Sequence, residues 1–140
     1  MEKSILTDNE LDRVAGGAGG SVVASGSFSS STCTQLNLQV NWSSQAEASG
    51  RRTLYVDVCA NSYSLYSNGG GVELTVNGML YAANAAAVSY GGKTPVTNRL
   101  ASFVIPGLSG AVSINAVWHF NGTYSGVSIG DIRASGIANV

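Results

Sequence analysis

The chain has 140 residues, of which 11% are charged, and its formal net charge at pH 7 is −1. After Gly17, five basic residues stand against four acidic ones, so this near-neutral body gives no electrostatic reason to expect binding to nucleic acid or to an anionic membrane surface. No run approaches the ~20 apolar residues of a membrane span, and no apolar core of a classical secretory signal follows Lys3.

The first seventeen residues have the pattern of a short amphipathic helix. Thr7 and Glu10 form a capping box, in which each side chain accepts a hydrogen bond from the other residue's backbone N–H. With Thr7 as the N-cap, Leu6 and Leu11 occupy the two positions that form a hydrophobic staple. The sequence therefore predicts that a helix begins at Thr7.

The predicted helix ends at a glycine pair. Leu11 and Val14 are three residues apart and share one face. Gly16 and Gly17 then end the helix, because glycine accepts the left-handed conformation of a C-cap. So short a helix is marginal alone in water, so we expect residues 1–17 to be helical when bound and otherwise disordered.

This pattern closely resembles the double-glycine leaders of bacteriocin precursors and related exported peptides. The resemblance is carried by a leucine, a hydroxyl residue, a Glu-Leu pair, an aliphatic residue and the glycine pair, here Leu6, Thr7, Glu10, Leu11, Val14, Gly16 and Gly17. In that family, the cysteine-peptidase domain of a peptidase-containing ABC transporter recognises the leader and cuts after the second glycine. The resemblance implies a cytoplasmic precursor and a body that is secreted once the leader is removed after Gly17.

Two alternatives to this interpretation remain open. One is an ordinary N-terminal helix that happens to end at a glycine pair. The other is cleavage after Gly20, at the pair Gly19-Gly20. Counting back from Gly20 puts Gly17 at the aliphatic position and Arg13 at the position of the glutamate, so the spacing favours Gly17.

Beyond Gly17 the helical period disappears and a strand period replaces it. The Gly- and Ser-rich residues 18–31 predict either a mobile arm or a first edge strand. Apolar and polar residues alternate over 36–42 and 54–58, as in half-buried strands. Asn77-Gly78, within the apolar stretch 72–83, is a strong signal for a two-residue hairpin turn.

The second half of the body continues in the same way. Residues 85–90 are a short candidate strand, and 100–105 form a strand that Pro106-Gly107 is expected to stop. Apolar residues alternate again from 112 to 120, where Asn121-Gly122 follows as a predicted turn. A last strand or strands are expected over 124–132.

Together these segments predict an all-β domain over residues 32–140. Seven to nine short strands separated by turn signals are typical of an antiparallel β-sandwich, here preceded by the short leader and the 18–31 segment. The expected core is Leu36, Leu38, Val40, Trp42, Leu54, Val56, Val58, Leu74, Val76, Ile114, Trp118 and Phe120. Residues 51–56, 72–78 and 112–126 are also similar to immunoglobulin-like repeats of phage tail structural proteins, which supports an immunoglobulin-like sandwich and carries no function.

The only two cysteines are Cys33 and Cys59. If residues 33–42 and 52–60 form a hairpin about residue 46, the two cysteines lie opposite each other. An exported protein with a single pair most simply oxidises it, so we predict a disulfide. Two free thiols are the alternative.

The sequence after Gly17 shows no motif for a catalytic site, a metal site or a cofactor site. The carboxylates are scattered, and one histidine and two cysteines are too few for a structural zinc site. Cys59 and His119, the only histidine, could be called a nucleophilic dyad, but the alternation turns His119 outward and no third group is evident. We therefore expect no enzyme, no metal and no cofactor.

One loop has the composition of a contact surface. Tyr63 and Tyr66 flank a segment rich in Ser, Asn and Gly, which suits low-entropy contacts and stacking on carbohydrate, although ordinary packing at the rim of the domain is the alternative. Gly69-Gly70-Gly71, which follows, lacks the Lys-Ser or Lys-Thr of a phosphate loop, and we interpret it as a flexible loop.

Two functions are compatible with these features. The leader implies a bacteriocin-like effector that acts on neighbouring cells through an extracellular target. Against this, the body is large, is not an amphipathic helix and is barely cationic. The alternative is a non-toxic secreted module of a cell surface or matrix, or a glycan binder, which the low charge and the tyrosine-bearing loop favour.

Overall fold

The structure is a computed structural model that describes residues 22–33, 36–124 and 126–140. Within these ranges the chain folds into ten β-strands and no helix. The strands are β1 (Val22–Cys33), β2 (Leu36–Ala46), β3 (Arg52–Ser62), β4 (Leu65–Ser67), β5 (Gly70–Val76), β6 (Met79–Ala85), β7 (Val88–Tyr90), β8 (Val96–Leu108), β9 (Ala111–Tyr124) and β10 (Val127–Asn139). The predicted leader, residues 1–17, lies outside the described residues.

The strands form two four-stranded sheets and a small ribbon. Sheet one has the order β1-β2-β3-β8, sheet two has the order β10-β9-β5-β6, and the ribbon pairs β4 with β7. Every pairing is antiparallel, so the predicted antiparallel sandwich is confirmed. Val22–Cys33 is an edge strand of sheet one, which agrees with the first edge strand, one of the two alternatives predicted for residues 18–31.

The core lies between the two sheets, as the alternation predicts. All twelve residues expected in the core are buried, and Trp118 of β9 is completely enclosed. Successive side chains of a strand point to opposite faces, so one face of each sheet supplies the core and the other is more exposed, with Val104 and Ile137 among its apolar residues. None of the described residues belongs to a helix long and apolar enough to cross a membrane.

Two glycines make room for aromatic rings beside β1. A Cβ on Gly26 would lie 2.9 Å from the indole nitrogen of Trp42. A Cβ on Gly136 of β10 would lie 2.9 Å from two ring carbons of Phe28. Phe28 thus bridges an edge of sheet one and an edge of sheet two, and this contact requires the absence of a side chain at position 136.

Of the two predicted Asn-Gly turns, only the first is a hairpin turn. Asn77 and Gly78 have φ angles of 48° and 84°, the paired positive values of a type I′ turn between β5 and β6. The prediction for Asn121-Gly122 is wrong, because β9 continues through both residues to Tyr124. There, Asn121 again has a φ of 48° and belongs to a β-bulge.

The predicted strand end at Pro106-Gly107 is also wrong. β8 continues to Leu108, and Pro106 and Gly107 together stand opposite the single residue Thr53, which is a bulge. Proline lacks a backbone donor, but β8 is an edge strand and tolerates it. The backbone N–H of Gly107 donates to the carboxylate of Glu47 at 2.8 Å, and this hydrogen bond lowers the pKa of Glu47 below its ordinary value.

The hairpin assumed for the disulfide has a different register. Its loop lies between the paired residues Ala46 and Arg52, so Cys59 faces Gln39 and not Cys33. Cys33 ends β1, which is separated from β3 by β2. The hairpin argument is therefore wrong, while the disulfide itself stays a prediction because the side chain of Cys33 lies outside the described residues.

The contact between Phe28 and Gly136 gives a first testable prediction. Gly136→Ala should lower the free energy of unfolding by about 1–3 kcal/mol, because the new methyl group would overlap the root of the Phe28 ring. Gly130→Ala, on the same strand, is the control: its Cβ would approach nothing closer than 3.9 Å, and stability should stay within about 0.5 kcal/mol or rise slightly. Urea unfolding of the full chain measures both, and equal effects would contradict the proposed contact.

Candidate functional site

A buried tryptophan fixes the loop between β4 and β5. The indole N–H of Trp118 donates to the backbone carbonyl of Gly69 at 3.2 Å in a buried setting. A buried N–H without a partner would cost about 1–3 kcal/mol, so this hydrogen bond ties the loop to β9. The loop is therefore held by the core and not only by its own turn.

Gly69 of this loop and Gly70, the first residue of β5, let the chain lie directly on neighbouring backbone. Gly69 and Gly70 have φ angles of 112° and 109°. A Cβ on Gly69 would stand 2.6 Å from the carbonyl oxygen of Ala85, and one on Gly70 would stand 2.5 Å from that of His119. Only glycine fits at this distance and conformation, so the segment interpreted as flexible is closely packed on both sides.

The ribbon that precedes this loop is anchored on sheet one. Tyr90 of β7 shares a hydrogen bond of 2.7 Å with the hydroxyl of Ser62 at the end of β3. β7 pairs with β4, and the register places Tyr66 opposite Ser89. Leu65 is buried while Tyr66 is 67% exposed, so the alternation of β4 directs the tyrosine ring outward.

The loop and the bulge of β9 face each other across a groove of about 530 Å³. One wall comes from the ribbon and its loop, and the other from the end of β9. The lining residues are Tyr66, Ser67, Asn68, Gly69, Gly70, His119, Phe120, Asn121, Gly122 and Thr123. A second recess of about 470 Å³ shares Tyr66, Ser67 and Asn68 with the groove, and Ala87, Val88 and Ser89 complete its lining.

Several polar side chains of the groove are available to a ligand. Asn68, Asn121 and Thr123 are exposed and make no side-chain hydrogen bond within the described part of the chain. The hydroxyl of Ser67 is engaged, because it accepts from the N–H of Gly69 and donates to its carbonyl, each at 3.1 Å. The groove thus offers two amides and a hydroxyl beside an exposed aromatic ring.

The groove carries little charge. Its lining contains no Lys, Arg, Asp or Glu, and His119 is held from the outer face of sheet two. Nδ1–H of His119 donates to Asp131 at 2.7 Å, and Nε2 lies 3.4 Å from a carboxylate oxygen of Glu73. Arg133 pairs with the second oxygen of Asp131 at 3.4 Å, so these charges largely compensate one another.

These carboxylates change the titration of His119. The hydrogen bond to Asp131 is the largest influence and raises the pKa of the imidazole above its ordinary value, with a smaller contribution from Glu73 in the same direction. Desolvation opposes both. The charged form is the one that the fold favours.

The structure places the residues that the sequence suggested as site residues in different parts of the fold. Tyr66 lines the groove, while Tyr63 is 42% exposed and lies outside its lining. Cys59 belongs to β3 of sheet one, whereas His119 lies on β9 of sheet two with its ring nitrogens beside Asp131 and Glu73. Over residues 22–33, 36–124 and 126–140, no three of the His, Cys, Asp and Glu side chains are grouped to hold a metal ion.

Sequence reasoning missed most of the groove. Asn121 was assigned to a turn, and Asn68 and Thr123 had no signal beyond their polarity. The Leu6, Thr7, Glu10, Leu11 and Val14 positions of leader recognition, with the Gly16-Gly17 cleavage site, lie outside the described residues and stay predictions.

The titration of His119 is directly measurable, because it is the only histidine of the chain. In an NMR pH titration of the full chain, we expect its pKa above about 6.5, and Asp131→Asn should lower it more than the control Glu73→Gln does. Stabilisation by the charged imidazole is full below about pH 6.5 and is lost as the pH rises through the folded-state value. A pKa at or below 6.5, or one that Asp131→Asn leaves unchanged, would refute the hydrogen-bonding arrangement.

Comparison with known proteins identifies no relative of this chain. No protein-family model, no curated protein and no solved structure matches the chain. The functional inference accordingly rests on the leader motif and on the geometry of the groove.

Proposed function

We propose that the chain is the precursor of an exported bacteriocin-like β-sandwich protein. A peptidase-containing ABC transporter recognises the leader, residues 1–17, and removes it after Gly17 during export. The observation that carries this proposal is the agreement of seven positions, with their spacing, with double-glycine leaders. The secreted body then meets its target outside the cell.

The architecture of the body is compatible with a removable leader. The two sheets cover each other's apolar faces from Val22 onward, so the described core has no open face that a leader helix would be needed to close. From its glycines at 16, 17, 19 and 20, the sequence predicts a joint that transmits little packing. A leader that must enter a peptidase cleft is best placed on such a joint.

The charge of the body favours action by binding a target over disruption of a lipid bilayer. The body has a net charge of about +1, whereas peptides that act on anionic membranes have a strongly basic, amphipathic helix. The described residues form no helix. We therefore infer that an effector with this fold acts through a recognised partner.

A second candidate is a non-toxic module of a cell surface or matrix, or a glycan binder. The groove beside Tyr66 favours it, because exposed aromatic and amide groups suit saccharide recognition. Growth inhibition of related strains by the purified exported protein would support the effector, and binding to cells without inhibition would support the surface module. An immunity gene beside the coding sequence would also favour the effector.

The export route predicts a defined product. Mass spectrometry of the culture medium of a strain with the transporter should find a chain that begins at Ala18. Gly17→Trp should block the cleavage, because a narrow peptidase cleft admits backbone without a side chain there. Glu10→Ala or Leu11→Ala should reduce the amount exported by weakening recognition.

The matched control is Gly20→Val, which changes the other glycine pair and should leave cleavage intact. Full-length protein in the medium, or a product that begins at Ser21, would contradict the assignment of the cleavage site to Gly17.

A further inference from the structure

We propose that the groove between Tyr66 and Asn121 binds a neutral saccharide, with one sugar ring stacked on Tyr66 and its hydroxyls hydrogen-bonded by Asn68, Asn121 and Thr123. This proposal deepens the second candidate function and rests on it for its biological setting. Its geometry is independent of how the protein leaves the cell.

The shape of the groove fits a chain-like ligand. Its volume of about 530 Å³ is within the range of about 300–1,000 Å³ found for ligand sites, and the recess that shares Tyr66 with it has about 470 Å³. Tyr66, Asn68, Asn121 and Thr123 are all exposed, so the groove is open along its length. An extended ligand could contact both recesses through the residues that they share, whereas a small molecule would leave most of this space empty.

Tyr66 is placed as a stacking platform. Its ring is 67% exposed, and its hydroxyl lies 3.2 Å from the point where a Cβ on Gly91 would stand. A tyrosine ring supplies a large, rigid contact area with only two side-chain torsions to fix. The C–H face of a sugar ring is apolar and can cover such a ring, while the sugar hydroxyls remain at its edge.

The polar groups suit hydroxyl ligands. Amide and hydroxyl side chains both donate and accept hydrogen bonds, as sugar hydroxyls do. The amides of Asn68 and Asn121 and the hydroxyl of Thr123 have no competing side-chain hydrogen bonds among the described residues. A ligand would therefore not have to break existing bonds to engage them.

The charges point to a neutral ligand. A phosphorylated, sulfated or carboxylated sugar would need a cation, and the lining has no Lys or Arg. His119, the one group of the lining that could carry a positive charge, is already held between Asp131 and Glu73. A peptide is less suited, because the wall residues offer hydroxyls and amides in place of the apolar pockets that hold its side chains.

The groove is formed before any ligand arrives. Trp118 holds the carbonyl of Gly69, and Gly70 rests on the carbonyl of His119. The left-handed φ of 48° at Asn121 belongs to a bulge inside a paired strand. Little backbone conformational entropy is therefore lost on binding, which favours affinity from a few contacts.

The test applies the full chain to a printed array of neutral and charged glycans, followed by calorimetric titration with the neutral oligosaccharide that binds best. Tyr66→Ala should weaken binding by about tenfold or more, since a central aromatic contact is lost. Asn121→Gly should weaken it by about fivefold, because it removes the amide while glycine keeps the positive φ of the bulge.

Tyr63→Ala is the matched control, since Tyr63 is exposed but outside the groove, and it should leave affinity unchanged. The proposal is overturned if no neutral glycan binds, if only charged glycans bind, or if Tyr66→Ala and Asn121→Gly bind as the parent does. Groove binding of peptides from a parallel peptide array, without any sugar, would likewise replace it. Because the array uses the uncleaved chain, failure of leader processing would not affect this result.

Discussion

The candidate site depends on one constraint, the close packing of the β4–β5 loop against β9. The buried indole N–H of Trp118 needs an acceptor, and the carbonyl of Gly69 supplies it at 3.2 Å. To bring that carbonyl into range, the chain approaches β9 so closely that a Cβ on Gly70 would come within 2.5 Å of the carbonyl oxygen of His119. Because the buried indole of Trp118 requires an acceptor, it fixes the β4–β5 loop at the surface. This loop forms one wall of the groove.

The groove arises where a regular sandwich departs from regularity. One wall depends on glycines with φ angles above 100°, and the other on a bulge that turns Asn121 outward. Regular strands present flat faces, so bulges and close loops are the means by which a sheet protein shapes a recess. The low charge of the lining then limits the chemistry of a ligand, since its one histidine is already compensated by two carboxylates.

The alternation of apolar residues was enough to predict the core and the sandwich, because it depends on burial alone. The two Asn-Gly pairs show why the strand ends were harder. Asn77 and Asn121 both have a φ of 48°, yet one makes a hairpin turn and the other a bulge inside a strand. The local sequence favours the positive φ in both places, and only the pairing of β9 with β10 decides which structure results.

The register of the β2–β3 hairpin could not be read from the alternation either. The assumed pairing of Cys33 with Cys59 and the observed pairing of Gln39 with Cys59 differ by six residues, an even number that keeps the same faces buried. The distinction comes from the loop, where the Glu47 carboxylate accepts from Thr53 at 2.7 Å and from the backbone of Gly107 at 2.8 Å. A contact between residues sixty positions apart has no signature in a local pattern.

The central claim is that the chain at the end of the β4–β5 loop packs directly against the backbone of β9. Comparing Gly70→Ala with Gly78→Ala in urea unfolding of the full chain tests it most directly. Both glycines have positive φ, 109° at Gly70 and 84° at Gly78, so each variant carries a conformational cost of at least about 1–2 kcal/mol. A Cβ at Gly78 meets nothing within 4 Å, whereas one at Gly70 meets the His119 carbonyl. We predict that Gly70→Ala lowers the free energy of unfolding by at least about 1 kcal/mol more than Gly78→Ala. Equal losses in the two variants would contradict the account.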